Sequence, residues 1–224
     1  MDKIKERIES DYYFNLEYIL KYAFEIIKTN GMVISIYSVI YILSSLLLLQ
    51  VNYNVGIGIM GVITGPFVAG YYYAFDMINK KDRLQIQDFF MGFRNPAPYI
   101  ILNLLTGIIT ALGLYLMILP GIYFIIAYFF AIPFMVFFRL DFWQSMEASR
   151  KIITKKWGMF FLLILILMVI NIVGALLYGF GLIFTIPFTY ASIFVAFRAI
   201  FPETEDAETE SDENKNQLDI NMFR

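Results

Sequence analysis

The groups that could perform chemistry in this chain are few, because the sequence contains neither histidine nor cysteine. The commonest general base, the commonest metal ligand and any thiolate nucleophile are therefore missing. The remaining candidates are the hydroxyls of Ser, Thr and Tyr and carboxylates such as those of Asp76 and Asp141. No apolar segment contains an HExxH-like or paired-aspartate motif. The sequence thus predicts a protein that is not an enzyme and that uses no cofactor or metal ion.

Basic side chains are the other group that could bind a ligand, and two polar segments concentrate them. The candidate contacts are Lys80, Lys81, Arg83, Arg94, Arg150, Lys151, Lys155 and Lys156. Each Lys or Arg close to an anionic membrane surface gains about 1 kcal/mol. We expect these residues to contact membrane lipids or a protein partner, and no nucleic acid; the alternative is that they only set the membrane topology.

Apolar segments must position these residues, and the chain has six of them. They lie at residues 31–50, 56–78, 99–119, 122–138, 159–178 and 182–201. Each has about the length of a helix that crosses the hydrocarbon core. Hydrophobic residues make up 59% of the chain, which is well above the average for soluble domains. We predict an all-α, polytopic membrane helix bundle of six transmembrane helices.

The polar segments have amphipathic patterns of their own. Residues 1–30 carry apolar positions at helical spacing and are predicted to form an amphipathic helix on the membrane surface. The segments Asn79–Pro98 and Arg139–Trp157 are predicted to form further interfacial helices. Residues 202–224 are rich in carboxylates and poor in apolar residues, which predicts a disordered acidic tail.

The basic residues also predict the orientation. All 17 Lys and Arg residues lie in the first, third, fifth and last polar segments or at their edges, and the three connectors between them have none. Lys and Arg are retained on the cytoplasmic side. Both termini are therefore predicted to be cytoplasmic, with three helical hairpins in the inner membrane of a bacterium. One outer turn is expected at Pro120-Gly121, where neither residue favours a continuing helix.

Each hairpin repeats a Pro-Phe pair in its second span. Pro66, Pro133 and Pro187 are predicted to kink these helices, either to improve packing or to act as hinges. Small residues at Gly61, Gly65 and Ala69 predict a close helix contact. Asn103 and Asn171 are the candidate polar groups deep in the bundle. No ionisable residue occupies the centre of a span, which disfavours an ion-coupled transporter.

Several of these runs carry a family resemblance: Gly65 to Phe93, LPGIYFIIAYFFAIPF, SMEASRK leading into WG, and GFGLIFTIPFTYASIFVAF. The chain resembles a broad group of uncharacterised bacterial six-span integral membrane proteins. It is also similar to the membrane-anchor domain of some glycerophosphodiester phosphodiesterases. The resemblance implies a membrane fold and no activity, because nothing corresponding to the catalytic domain follows the sixth span.

Three functions remain open from the sequence. The first is a non-enzymatic accessory or scaffold protein that binds lipid or a partner at the inner leaflet. The second is a passive transporter or channel for a small apolar or lipid-like solute. The third is an intramembrane enzyme, which we rank last because the expected catalytic residue types are missing.

Overall fold

The computed structural model describes residues 2–51, 53–80, 84–177 and 179–202. Within these ranges the chain is helical, with no strand. The helices are α1 (Asp2–Glu9), α2 (Leu16–Val51), α3 (Tyr53–Asn79), a 3₁₀ helix (Asp88–Phe93), α4 (Ala97–Leu116), α5 (Ile118–Ala127), α6 (Ala131–Phe138), α7 (Phe142–Lys155), α8 (Trp157–Leu176) and α9 (Leu182–Ile200). The predicted acidic tail lies outside the described residues, except for Pro202.

Among the described residues, six helical segments are long and apolar enough to cross a membrane, which confirms the predicted all-α polytopic fold. α2, α3, α4, α8 and α9 each supply one span, and α5 with α6 together supply the fourth. α2 packs on α3 and α9, and α3 also contacts α4. We call the end of the bundle that carries α1, the 3₁₀ helix and α7 the basic end, and the opposite end the turn end.

The amino-terminal segment is interrupted, where the sequence predicted one helix up to residue 30. α1 ends at Glu9, and α2 begins at Leu16 after a non-helical stretch. Side-chain oxygens support this break, since Asp11 accepts from the backbone N–H of Tyr12 at 2.9 Å and Asn15 accepts from that of Tyr18 at 3.0 Å. Such local bonds compete with a continuous helix. α2 then runs into the first span through a kink at Asn30 (φ −118°, ψ 22°).

The predicted turn at Pro120-Gly121 is wrong in position. The chain reverses at Met117, which has an extended backbone, and α5 begins at Ile118. Pro120 therefore lies in the first helical turn, where its missing N–H costs no hydrogen bond. Gly121 lies inside α5 against Gly113 of α4, because an added Cβ at Gly113 would come within 3.0 Å of the Gly121 backbone. Gly121 thus allows α4 and α5 to pack closely and does not form a turn.

The fourth span is broken between α5 and α6, just before Pro133. Residues 128–130 form turns, and the N–H of Ala131 bonds to the carbonyl of Tyr128 at 3.0 Å. The side chain of Ser149 in α7 bonds two backbone groups at this break. Its Oγ donates to the carbonyl of Ala127 at 2.6 Å and accepts from the N–H of Phe130 at 3.0 Å. In lipid the backbone groups of a broken helix need such a partner.

The segment before α4 packs against α3, where the sequence predicted an interfacial helix on the membrane surface. Its 3₁₀ helix buries Phe89 completely. A Cβ on Gly70 of α3 would overlap the Phe89 carbonyl, and one on Gly92 would overlap the carbonyl of Pro66. The two backbones touch only because both positions are glycine. Gly65 gives α4 the same close approach at Tyr99, which confirms that the small-residue face packs helices.

Candidate functional site

A cleft of about 740 Å³ opens at the basic end, between the start of α4 and the junction of α6 with α7. Arg94 and Asn95 line one side, and Arg139 and Asp141 line the other. Arg94 and Asn95 lie between the 3₁₀ helix and α4, and Arg139 and Asp141 lie between α6 and α7. The cleft is therefore level with the ends of the spans. Within the described part of the chain, the side chains of Arg94 and Arg139 are exposed and form no ion pair or hydrogen bond.

Arg139 has an unusual backbone conformation. It follows the last residue of α6 with φ 52° and ψ 33°, and among the described residues it is the only non-glycine with positive φ. Helices usually end this way with glycine, because the left-handed conformation costs other residues about 1–2 kcal/mol. The conformation lets the chain reach the N-terminus of α7 within two residues. The fold thus holds Arg139 in an unfavourable backbone conformation, and Arg139 lines the cleft.

Asp141 caps α7 and supplies the negative charge of the cleft. Its Oδ1 accepts from the backbone N–H of Gln144 at 2.8 Å, which is a normal N-cap bond. Its side chain forms no ion pair among the described residues, although Arg139 is only two residues away. The cleft therefore presents two cations and one anion whose charges are not neutralised internally.

Two tyrosine hydroxyls lie deeper in the same cleft. Tyr73 of α3 and Tyr99 of α4 are joined by a hydrogen bond of 2.8 Å between their phenol oxygens. One phenol of such a pair donates to the other, which leaves one O–H free to donate to a ligand. Ile101 also lines the cleft and is 42% exposed, so this side of the cleft opens onto the outer surface of α4.

The other basic candidates have partners within the chain. Lys80 pairs with Asp76 at 3.0 Å, and Arg150 and Lys151 pair with Glu147 at 2.8 Å and 3.2 Å. The hydrogen bond from Arg150 is the main reason that the pKa of Glu147 is lowered. Lys81 and Arg83 lie outside the described residues. Of the six predicted contacts that lie in the described residues, Arg94 is the one that lines the cleft, and its side chain has no partner among those residues.

Lys155 and Lys156 bind the amino-terminal segment. Lys155 donates to the carbonyl of Ser10 at 2.6 Å, and Lys156 lies 3.2 Å from a carboxylate oxygen of Asp11. The hydroxyl of buried Tyr12 donates to the carbonyl of Ile152 at 2.9 Å. We call these contacts of residues 10–12 with α7 and Lys156 the N-terminal clasp. The Tyr12 backbone N–H and then Lys156 lower the pKa of Asp11, and burial raises that of Tyr12.

A second charged contact closes the basic end between α3 and α9. Arg198 of α9 forms an ion pair with Asp76, and its guanidinium lies 4.4 Å from the centre of the Phe137 ring. Both charged side chains are largely buried, with 15% and 17% of their surface exposed. Asp76 also bonds Lys80, four residues further along the chain, so this carboxylate already has partners on α9 and next to α3.

The deep asparagines serve separate helix pairs. Asn103 donates to the carbonyl of Gly61 at 2.7 Å, linking α4 to α3. Asn171 donates to the Thr189 hydroxyl at 2.7 Å, linking α8 to α9. A groove of about 450 Å³ between α4 and α5 is lined by Asn103 and not by Asn171. The two amides therefore do not share this groove.

The three prolines occupy different settings. Pro66 lies inside α3 and Pro187 inside α9, whereas Pro133 lies in the first turn of α6, after the break. All three prolines are buried. Pro66 contacts the 3₁₀ helix through its carbonyl, so its position contributes to packing.

Sequence reasoning missed the cleft. It named Asp141 only among the remaining carboxylates, and it gave no role to the side chain of Arg139 or to Tyr73, Tyr99 and Ser149. The local signal for Arg139 was its place directly after an apolar run, where glycine would be usual. The tyrosines had no signal, since their contact joins residues 26 apart on two helices. No group of three or more potential metal ligands occurs among the described residues.

Comparisons with known proteins do not identify a family for the chain. No protein-family model matches it, and no curated protein or solved structure shows significant similarity. The resemblance to bacterial six-span proteins and to the phosphodiesterase membrane anchor stays a prediction.

Proposed function

We propose that this chain is a non-enzymatic accessory protein of a bacterial inner membrane, which binds phospholipid at the cytoplasmic leaflet. The observation that carries the proposal is the cleft between Arg94 and Arg139. Its two guanidiniums have no internal partner within the described residues, and its wall continues onto the exposed side of α4. Guanidinium groups bind phosphate through paired hydrogen bonds and keep their charge at all physiological pH values.

The distribution of charge supports the same proposal. The basic residues that lie in the polar segments at the basic end would adjoin the cytoplasmic leaflet if the positive-inside rule holds for this chain. Four of them are engaged with Glu147, Ser10 or Asp11. The proposal therefore rests on the cleft arginines and not on the total basic charge.

The test is retention of lipid by the purified full-length protein. Native mass spectrometry in a mild detergent would compare the wild type with the double variant Arg94→Gln and Arg139→Gln. We expect the wild type to retain phospholipid and the variant to lose most of it. The matched control is Arg150→Gln with Lys151→Gln, which removes two basic residues already paired with Glu147. Equal retention in all three proteins would refute the proposal.

One observation favours a second candidate, a passive path for a lipid-like solute. The groove between α4 and α5 is lined by Asn103, Thr106 and Thr110, which would give a polar group access to the membrane interior. Asn103 is already bonded to Gly61, which reduces its availability to a solute. Lipid scrambling between leaflets of reconstituted vesicles would distinguish the two: a rate above that of empty vesicles would favour the passive path.

A further inference from the structure

We propose that the Arg94–Arg139 cleft selects an aminophospholipid, with the lipid phosphate at the two arginines and its ammonium group at Asp141. This inference rests on the proposed function, because it assumes that the cleft binds phospholipid. It goes further by assigning the chemical class of the headgroup and the residue that selects it.

The first argument is the charge pattern of the cleft. Two guanidiniums and one carboxylate line it, and none of the three forms an ion pair among the described residues. A phosphate alone would meet the arginines but would also lie near the Asp141 carboxylate, which repels it. A headgroup with both a phosphate and an ammonium would meet a partner of opposite charge at each end.

The second argument is the spacing of these charges along the chain. Arg139 and Asp141 are two residues apart in the non-helical junction between α6 and α7, so their Cα atoms are at most about 7 Å apart. Both charged side chains therefore start from one short stretch of chain, so that a compact headgroup, whose phosphate and ammonium are joined by a two-carbon link, can contact both. The junction is fixed on both sides, because Arg139 ends α6 and Asp141 caps α7.

The third argument is the depth of the cleft. The Tyr73–Tyr99 pair can donate one remaining O–H to a phosphate or ester oxygen below the arginines. From the cleft, Ile101 leads onto an exposed apolar stripe of α4 that continues at Leu104, Ile108 and Leu112. An acyl chain can follow this stripe while the headgroup stays in the cleft. The site therefore fits a lipid and not a soluble phosphate.

The decisive variant is Asp141→Asn. Asparagine caps helices as well as aspartate does, so this change removes the charge and keeps the N-cap bond to Gln144. Asp141→Ser is a second variant that retains a cap and lacks the charge. Unchanged melting temperatures for both variants would show that α7 remains folded.

The experiment is competition for the full-length protein in detergent, read by native mass spectrometry. The probes are equimolar dioleoyl phosphatidylethanolamine and phosphatidylglycerol, with phosphatidylcholine as a third arm whose ammonium cannot donate a hydrogen bond. We expect the wild type to prefer phosphatidylethanolamine about two- to fivefold, the range of a partly exposed ion pair. Both Asp141 variants should lose that preference and still bind phospholipid.

The outcomes separate this inference from the proposed function. If the wild type shows no preference, or if Asp141→Asn keeps it, the aminophospholipid assignment is overturned while lipid binding by the arginines stands. If the Arg94→Gln, Arg139→Gln variant retains as much lipid as the wild type, the proposed function fails and the assignment fails with it. Preference for phosphatidylcholine over phosphatidylethanolamine would also overturn the assignment, because it would exclude a hydrogen-bonded ammonium.

Discussion

The broken fourth span makes a prediction about Ser149. Its hydroxyl satisfies two backbone groups, the carbonyl of Ala127 at 2.6 Å and the N–H of Phe130 at 3.0 Å, and it is fully buried. Ser149→Ala leaves both groups without this partner. An unsatisfied buried polar group costs about 1–3 kcal/mol, whereas single interhelical hydrogen bonds in membranes average about 0.6 kcal/mol. We expect a loss of about 1–3 kcal/mol in the free energy of unfolding.

Thermal unfolding in detergent provides the assay. A loss of that size lowers the melting temperature of a protein of this length by about 3–10 °C. Ser192→Ala is the matched control, since Ser192 is equally buried but donates only to the carbonyl of Phe188 in its own helix, at 2.8 Å. That helix keeps its backbone bonds, so we expect a change below about 0.5 kcal/mol. Equal shifts for the two variants would show that Ser149 does not support the break.

Four further predictions follow from contacts in the described chain. Gly70→Ala should destabilise the fold by about 1–3 kcal/mol in the same melting assay, because the added Cβ would overlap the Phe89 carbonyl. The control Gly107→Ala, whose Cβ would lie in open space, should be neutral or slightly stabilising. Tyr12→Phe removes the hydrogen bond to the Ile152 carbonyl and should destabilise the N-terminal clasp by about 1 kcal/mol, measured as faster hydrogen exchange in α1. Tyr13→Phe, at a residue that is 81% exposed, should leave the exchange rate unchanged. The pKa of Asp11 is lowered in the folded chain, so the contribution of its carboxylate to the clasp is present above its ordinary pKa and is lost as the pH falls below about 4. Hydrogen exchange in α1, relative to its intrinsic rate, should therefore become faster at low pH, and Asp11→Asn should remove this pH dependence. Arg139→Gly should leave the melting temperature unchanged or raise it, with a gain of up to about 1 kcal/mol, while lipid retention falls; a strong loss of stability would mean that Arg139 serves the fold.

The helices coincide closely with the predicted apolar segments, because the hydrophobicity that defines such a segment is a local property of the sequence. Five of the predicted spans begin and end within four residues of the helices. The kink at Asn30 lies where the sequence predicted the first span to begin. The turn at Pro120-Gly121 was misplaced because proline and glycine were interpreted as helix breakers. Proline is tolerated in a first helical turn, and Gly121 was needed for contact with Gly113.

The candidate site could not be predicted in the same way, because it depends on which side chains find partners. By composition alone, Lys155 and Arg94 are equivalent basic residues near a span end. In the structure Lys155 donates to the Ser10 carbonyl, 145 residues away, whereas Arg94 lines the cleft. Such long-range pairings leave no periodic signal in the chain.

Hydrophobicity and charge, which each segment carries by itself, thus determined that this protein is a six-span helical bundle of the membrane. Tertiary contacts decided the rest: Ser149 bonds the free backbone groups of the broken span, glycines allow the 3₁₀ helix to contact α3, and Glu147 pairs with Arg150 and Lys151. The physical reason is one of range. Transfer of a segment into lipid is nearly additive over its own residues, whereas the satisfaction of a hydrogen bond or charge requires a second group that only the folded bundle brings near.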